Sequence, residues 1–164
     1  MDLSGSLTNI ESKIKEKDFK VDIDNALEIL LDAIIPYSEK KFLEIYGQNW
    51  INKVKEIWEI NKKGYFPKIK NNRVEWDVAA ILKLIDINKI WFDVFDDNHQ
   101  KKERSYITEI LQTRHEVSHK VYKQIITKDN AIRALDTILL LSQNFNNQEV
   151  IKKIKDMKNN IIKT

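Results

Sequence analysis

The stretch KERSYITEILQTRHEVSHKVYKQI at residues 102–125 decides the fold class, because its apolar side chains recur every three or four positions. On an ideal helix, with about 100° between successive residues, these positions form one stripe. The stripe consists of Ile107, Ile110, Leu111, Val117 and Val121. Arg114 falls near the middle of it, where a buried guanidinium without a partner is costly. We therefore predict an amphipathic helix whose arginine reaches a carboxylate, the solvent or a second subunit.

The same spacing extends through most of the chain, which contains only three glycines and two prolines. This pattern predicts an all-α domain, a bundle of about five to seven helices. Besides 102–125, the predicted helices are 22–35 (ending before Pro36), 37–47, 49–61, 74–95 (interrupted near Asn88), 127–145 and 148–162. Residues 62–73 are predicted to form a loop, and no alternating pattern is long enough to predict a sheet.

Length and composition restrict the class of protein. A chain of 164 residues is long enough for one domain that buries its own core. The sequence has no cysteine, which excludes thiolate zinc sites, iron–sulfur clusters and disulfide bonds. It has no apolar stretch typical of a signal peptide or a membrane span, so we expect a soluble cytoplasmic protein with no membrane partner. The net charge of +3 is too small to indicate a nucleic-acid partner by itself.

One motif in the helix is typical of zinc hydrolases. His115, Glu116 and His119 match H-E-x-x-H, in which two histidines on one helical face bind zinc and the glutamate is the general base. A third ligand is required, and no histidine follows His119. The available carboxylates, none in a recognisable ligand motif, are Asp129, Asp136 and Glu149. A zinc hydrolase is therefore the less favoured alternative, and we expect no metal and no other cofactor.

A second motif overlaps the first. Arg114 and His119 match R-x-x-x-x-H, and they lie roughly 140° apart on an ideal helix. Histidine transfers protons near neutral pH, and arginine binds phosphate oxygens, so the pair suits RNA cleavage by the 2′-hydroxyl without metal. A two-fold dimer would place two such pairs in one groove. The alternative for Arg114 is a structural salt bridge to Glu109, Glu116 or Asp136.

Three ordered blocks resemble the HEPN family (higher-eukaryote and prokaryote nucleotide-binding). They are WDVAAILKLIDINKIWFDVF at 76–95, ERSYITEILQTRHEVSH at 103–119 and TKDNAIRALDTILLL at 127–141, and YGQNW at 46–50 also fits. The resemblance is to the branch found in a transcript-surveillance endonuclease and in prokaryotic conflict and defence systems. It implies one HEPN-like domain over 1–164, with the core of the resemblance at 46–145. Residues 1–45 are then an N-terminal helical addition, and 148–162 a basic amphipathic tail helix.

The resemblance implies a metal-independent endoribonuclease whose site is composed at a homodimer interface. Arg114 corresponds to the phosphate-binding arginine and His119 to the catalytic histidine. His115 stands where the family commonly has asparagine, so it either adds acid–base capacity or marks an inactive copy. The alternative function is therefore a non-catalytic module that dimerises or binds nucleotide or RNA. By analogy with the family, the role is phage defence or toxin-like, with an antitoxin or a defence-system protein as a partner.

Basic residues outside the motif are candidates for RNA binding. Lys68, Lys70 and Arg73 follow Tyr65 and Phe66 in the loop at 62–73, a combination typical of loops that stack bases; Lys120 follows the motif. The competing interpretation of the loop is a solvated connector whose two aromatic side chains pack against the core.

Overall fold

A computed structural model of the protein describes residues 17–95, 101–118 and 125–164, with side chains from residue 103 in the second range. Helices account for most of these residues. The α-helices are α1 (Lys20–Tyr46), α2 (Trp50–Ile60), α3 (Val78–Ile85), α4 (Asn88–Ile90), α5 (Lys101–Ser118), α6 (Lys128–Ser142) and α7 (Gln148–Lys163). A π-helical turn at Trp91–Phe95 follows α4, and a hairpin joins β1 (Ile69–Lys70) to β2 (Arg73–Val74). The predicted all-α fold class is confirmed.

One hydrophobic core receives side chains from all seven of these helices. The long helix α1 packs against α2, α3, α6 and α7, and α5 packs against α3 and α6. Residues of α1 such as Leu30 and Ile34 are fully buried. The N-terminal helix is thus part of the bundle that positions α5. Within the described ranges, no helix combines the length and the apolar character needed to cross a membrane.

The predicted end of the first helix before Pro36 is wrong. Helix α1 continues through Pro36 to Tyr46, so the segments predicted as 22–35 and 37–47 are one helix. A proline inside a helix removes a backbone hydrogen bond and costs about 3 kcal/mol. Ile34 and Phe42, on either side of it, are both fully buried. Burial of both halves in the same core offsets the local cost, which a local sequence pattern does not reveal.

The predicted interruption of 74–95 is confirmed. Asp77 caps α3 by accepting a hydrogen bond from the Ala80 amide at 2.7 Å, and α3 ends at Ile85 with Asp86 as its C-cap. Arg104 of α5 holds this break: its Nη2 donates to the Asp86 carbonyl at 2.6 Å and its Nε to Asp86 Oδ1 at 3.2 Å. The guanidinium also lies 5.4 Å from the centroid of the Trp91 ring. The amino-terminal half of α5 is thereby fixed against α3 and α4.

The loop predicted for 62–73 contains the hairpin, so the prediction that the chain forms no sheet is wrong over a short span. Ile69 pairs with Val74 and Lys70 with Arg73, and Asn71 and Asn72 connect them. Both asparagines have positive φ angles, 52° and 61°, as the two central residues of a type I′ turn require. Strands of two residues are too short to show an alternating pattern.

Candidate functional site

The carboxyl-terminal half of α5 carries the first part of the motif, from Arg114 to Ser118. Ile107 and Ile110 are each 1% exposed and Val117 is 3% exposed, so the apolar stripe faces the core as predicted. Arg114 is half-buried on the same face. His115, the next residue, is exposed. His119 and Lys120 lie outside the described residues, as do the other residues of 119–124.

The carboxylates proposed as partners of Arg114 are engaged elsewhere. Glu109 Oε1 lies 3.3 Å from Arg133 Nε, and Asp136 Oδ1 lies 2.8 Å from Lys158 Nζ. Glu116 Oε1 accepts a hydrogen bond from Gln112 Nε2 at 3.1 Å. The predicted alternative, a salt bridge to one of these three, is therefore wrong. Within the described part of the chain, the Arg114 guanidinium forms no ion pair.

The chain that follows the motif is tied to the start of α1. The Ile126 amide donates to Asp18 Oδ1 at 3.0 Å, and the Phe19 amide donates to the Ile126 carbonyl at 3.1 Å. Asp18 Oδ1 also accepts from the Lys20 amide at 3.1 Å. One carboxylate thus satisfies amides from two segments more than a hundred residues apart in sequence. This contact joins the segment just before α6 to the start of α1. Ile125, the predicted last residue of the motif helix, is not helical.

Helix α6 begins next to this contact. The Thr127 hydroxyl accepts a hydrogen bond from the Asn130 amide at 3.3 Å and so caps the helix. Helices α5 and α6 are then joined by the ion pair between Glu109 and Arg133. A groove of about 300 Å³ lies between them, lined mainly by polar side chains of both helices together with Ile23 of α1 and Ile126. Arg114 and His115 do not line this groove, so they face other surfaces of α5.

The hairpin presents three of the predicted RNA-binding residues to solvent. Lys68, Lys70 and Arg73 are all exposed, and among the described residues none of them forms an ion pair. Arg73 lies near Glu39 of α1. Burial raises the pKa of the Glu39 carboxyl above its usual value, and the positive charge of Arg73 offsets part of that rise.

The two aromatic residues of the loop have different environments, so neither sequence interpretation holds for both. Phe66 packs edge-on against Trp58 and Trp76, with ring centroids 5.8 Å and 5.6 Å apart. Tyr65 is fully exposed. Phe66 thus anchors the loop to the core, whereas Tyr65 projects from the loop into solvent.

Two of the carboxylates considered as third zinc ligands form ion pairs with lysines. Asp136 pairs with Lys158, and Glu149 Oε1 lies 3.1 Å from Lys153 Nζ. Among the side chains that the structure describes, no group of three or more histidines, aspartates or glutamates is arranged to hold a metal ion.

Sequence reasoning missed two residues that position the motif helix, Arg104 and Asp18. Arg104 looks like one of many charged residues of an amphipathic helix, and no local signal identifies its partner 18 residues away. Asp18 stands two residues before α1, and its carboxylate accepts a hydrogen bond from the amide of Lys20, the first residue of the helix. Its bond to Ile126 depends on the tertiary fold.

Comparison with known proteins agrees with the fold. The model of the Swt1-like HEPN family matches residues 25–146, a span that begins within α1 and ends just after α6. The match includes the blocks on which the resemblance was based, and it confirms that resemblance. No similarity to a curated protein or to a solved structure was detected. Because the family model covers well over half of the sequence, the chain belongs to the Swt1-like HEPN family.

Proposed function

We propose that the protein is a metal-independent endoribonuclease in which Arg114 and His119 act at a site composed between two protomers. Membership of the family supports a domain of the nucleotide-binding or ribonuclease type, and HEPN domains commonly bind RNA and dimerise. The finer assignment depends on one observation: Arg114 is half-buried on the apolar face of α5 without an ion-pair partner in the described chain.

The state of Arg114 favours an external anion. A guanidinium that is partly removed from water and has no carboxylate partner is destabilising, so a structural role would leave its cost without compensation. A phosphodiester supplies two oxygens in the geometry that the planar guanidinium fork matches. The charge on Arg114 is permanent, which makes it suited to the negative charge that develops on a phosphate during attack.

The reaction needs no group from outside the protein and its substrate. One histidine takes the proton of the ribose 2′-hydroxyl, and the 2′-oxygen forms a bond to the adjacent phosphorus. The bond from phosphorus to the 5′-oxygen of the next nucleotide breaks, and a second histidine donates a proton to that oxygen. The products are a 2′,3′-cyclic phosphate and a 5′-hydroxyl. Arg114 stabilises the pentavalent phosphorus between the two steps.

A second protomer would supply the arginine and histidine side chains that one helix cannot bring to the same phosphate. Residues five apart on an ideal helix point about 140° away from each other, so on such a helix Arg114 and His119 of one chain would not converge on one phosphate. Two α5 helices facing each other across a two-fold axis would bring two arginines and two histidines to the same groove. His115, exposed beside Arg114, would then line the groove as a hydrogen-bond donor.

Basic residues outside the motif would hold the rest of the strand. Lys68, Lys70 and Arg73 on the hairpin, and Lys120 after the motif, are the candidates. Contacts of lysine and arginine with phosphate are independent of sequence and depend on salt. We place the activity in phage defence or in a toxin-like role controlled by an antitoxin or another defence-system protein, by analogy with the family.

The test is cleavage of single-stranded RNA by the purified protein in excess chelator. We expect 2′,3′-cyclic phosphate ends, and a fall in rate of about a hundred-fold or more in both Arg114→Gln and His119→Ala. Arg133→Gln is the matched control, because Arg133 lies on the neighbouring helix with its side chain 80% exposed and paired only with Glu109. Its cleavage rate should equal that of the wild type.

Three results would contradict the proposal. They are loss of activity on chelation, full activity of His119→Ala, and equal losses in Arg114→Gln and Arg133→Gln. Elemental analysis of the purified protein addresses the zinc alternative directly, since stoichiometric zinc would favour it.

The second candidate function is a non-catalytic module that binds RNA or nucleotide at the same site. The observation that favours it is His115 in the position where asparagine is common. His115→Asn separates the two functions. In an active enzyme this change should leave cleavage within a few-fold of the wild type. Cleavage that appears only in His115→Asn would instead identify the natural chain as an inactive copy.

A further inference from the structure

Tyr65 is presented to solvent by a loop that is itself anchored. Trp58 Nε1 donates a hydrogen bond to the Gly64 carbonyl at 2.9 Å, immediately before Tyr65. Phe66, immediately after it, is wedged between two tryptophan rings. Gly64 has a φ angle of 94°, which a side-chain-bearing residue rarely adopts. A ring that is 101% exposed is therefore held on a backbone fixed on both sides.

The charges along the loop at 62–73 are all positive. On the helices, by contrast, lysines alternate with carboxylates, and some of them form pairs, such as Lys89 with Asp93 at 2.8 Å and Lys152 with Asp156 at 3.1 Å. Five basic residues at 62–73 have no ion pair within the described part of the chain, and no acidic residue occurs in that segment. They are Lys62, Lys63, Lys68, Lys70 and Arg73. An exposed ring among unpaired cations matches a flexible polyanion with planar groups.

We propose that residues 62–73 form a binding element for single-stranded RNA, in which Tyr65 stacks on a base while Lys68, Lys70 and Arg73 hold neighbouring phosphates. The proposal rests on the proposed function only in taking RNA as the ligand. A single strand is favoured over a duplex because stacking needs an unpaired base that can turn out of the helix. Stacking on tyrosine is tolerant of sequence, so the element adds affinity and selects the strand form without reading a specific base.

The element lies away from the motif. Arg73 is near Glu39 of α1, whereas Ile23 of α1 lines a groove together with Val117 of α5. The sixteen steps along α1 from Ile23 to Glu39 span about 24 Å of helix at about 1.5 Å per residue. One strand would need several nucleotides to reach from the motif to Tyr65. Short oligonucleotides bound at the motif should therefore not reach Tyr65, and their affinity should not include the contribution of the binding element.

The experiment measures binding in a His119→Ala background, so that the RNA is not consumed. Fluorescence anisotropy would follow labelled oligouridylates of about 4 and about 16 nucleotides, and a duplex of about 16 base pairs. For the long single strand, Tyr65→Ala should weaken binding about ten-fold, equivalent to about 1.4 kcal/mol. Tyr65→Phe should stay within about two-fold of Tyr65, because it keeps the ring. The short strand and the duplex should be insensitive to both changes.

Phe92→Ala is the matched control, because it removes another exposed aromatic ring, 57% exposed, from the π-helical turn. It should bind the long strand like the parent. The proposal is overturned if Tyr65→Ala binds the long strand unchanged, or if Tyr65→Leu binds as well as Tyr65→Phe. It is also overturned if Tyr65→Ala abolishes binding of a protein while leaving RNA affinity unchanged, since the surface would then serve a protein partner. Tyr65-dependent binding by a wild-type protein that never cuts RNA would refute the proposed function and leave this inference standing.

Discussion

Replacing Arg114 by methionine should stabilise the protomer and abolish cleavage. Methionine matches the length of the arginine stem and has a similar helix propensity, so the change isolates the guanidinium. In the described chain this group lies half-buried on the apolar face of α5 without a salt bridge. Its removal takes away a desolvation cost and leaves behind no charge that had depended on it.

The change in the free energy of unfolding caused by Arg114→Met distinguishes two roles for the arginine. A polar group that is buried without a partner costs about 1–3 kcal/mol in mutational data. Partial exposure reduces this, so we expect Arg114→Met to raise the free energy of unfolding by about 1 kcal/mol. In a domain of this size, that corresponds to a rise in Tm of about 2–4 °C. Loss of one partner of a buried ion pair would instead lower stability by about 3–5 kcal/mol. The two roles thus predict changes of opposite sign.

The assay is urea denaturation followed by circular dichroism, at two protein concentrations so that a contribution from dimer dissociation is visible. Cleavage is measured on the same preparations. Arg133→Met is the control, since it removes an exposed arginine and one surface ion pair, and its stability should change by less than about 0.5 kcal/mol. A loss of more than about 1 kcal/mol in Arg114→Met at both concentrations would refute the reasoning, because it would identify Arg114 as a structural residue.

Two further predictions follow from the packing of α1. Asp18→Ala should lower the free energy of unfolding by about 1–2 kcal/mol in urea denaturation, because the Lys20 and Ile126 amides lose their acceptor. Asp18→Asn, which keeps an acceptor oxygen, should lose clearly less, and equal losses in the two variants would contradict the role of Asp18 as an acceptor for both amides. Glu39→Gln should stabilise the protein at neutral pH, since burial raises the pKa of Glu39 and its ionised form is disfavoured in the fold. The sign follows from linkage: the raised pKa favours the native state fully below about pH 4.5, and this contribution is lost as the pH rises through the folded-state value. The difference between Glu39→Gln and the wild type should therefore vanish in thermal melts at low pH, and a constant difference across the pH range would point to another cause.

Local sequence determined most of the secondary structure. The apolar spacing in α5, the cap at Thr127 and the interruption before Asn88 each depend on residues within one or two helical turns. Local patterns also located the motif on α5 and predicted the face on which Arg114 lies. They failed at Pro36, where the penalty is local and the compensating burial of Ile34 and Phe42 is not.

Only the tertiary structure decided which charged and aromatic groups are engaged. Spacing allowed Arg114 a choice of Glu109, Glu116 or Asp136. Glu109 and Asp136 instead pair with Arg133 and Lys158 on neighbouring elements of the bundle, and Glu116 bonds to Gln112 of its own helix. Spacing likewise treated Tyr65 and Phe66 alike, and the tryptophans of α2 and of the segment before α3 bury one of them and leave the other exposed. The reason is the range of the forces involved. Helix periodicity and capping act between residues that are close in sequence, whereas ion pairs and ring packing join residues that meet only after the chain has folded.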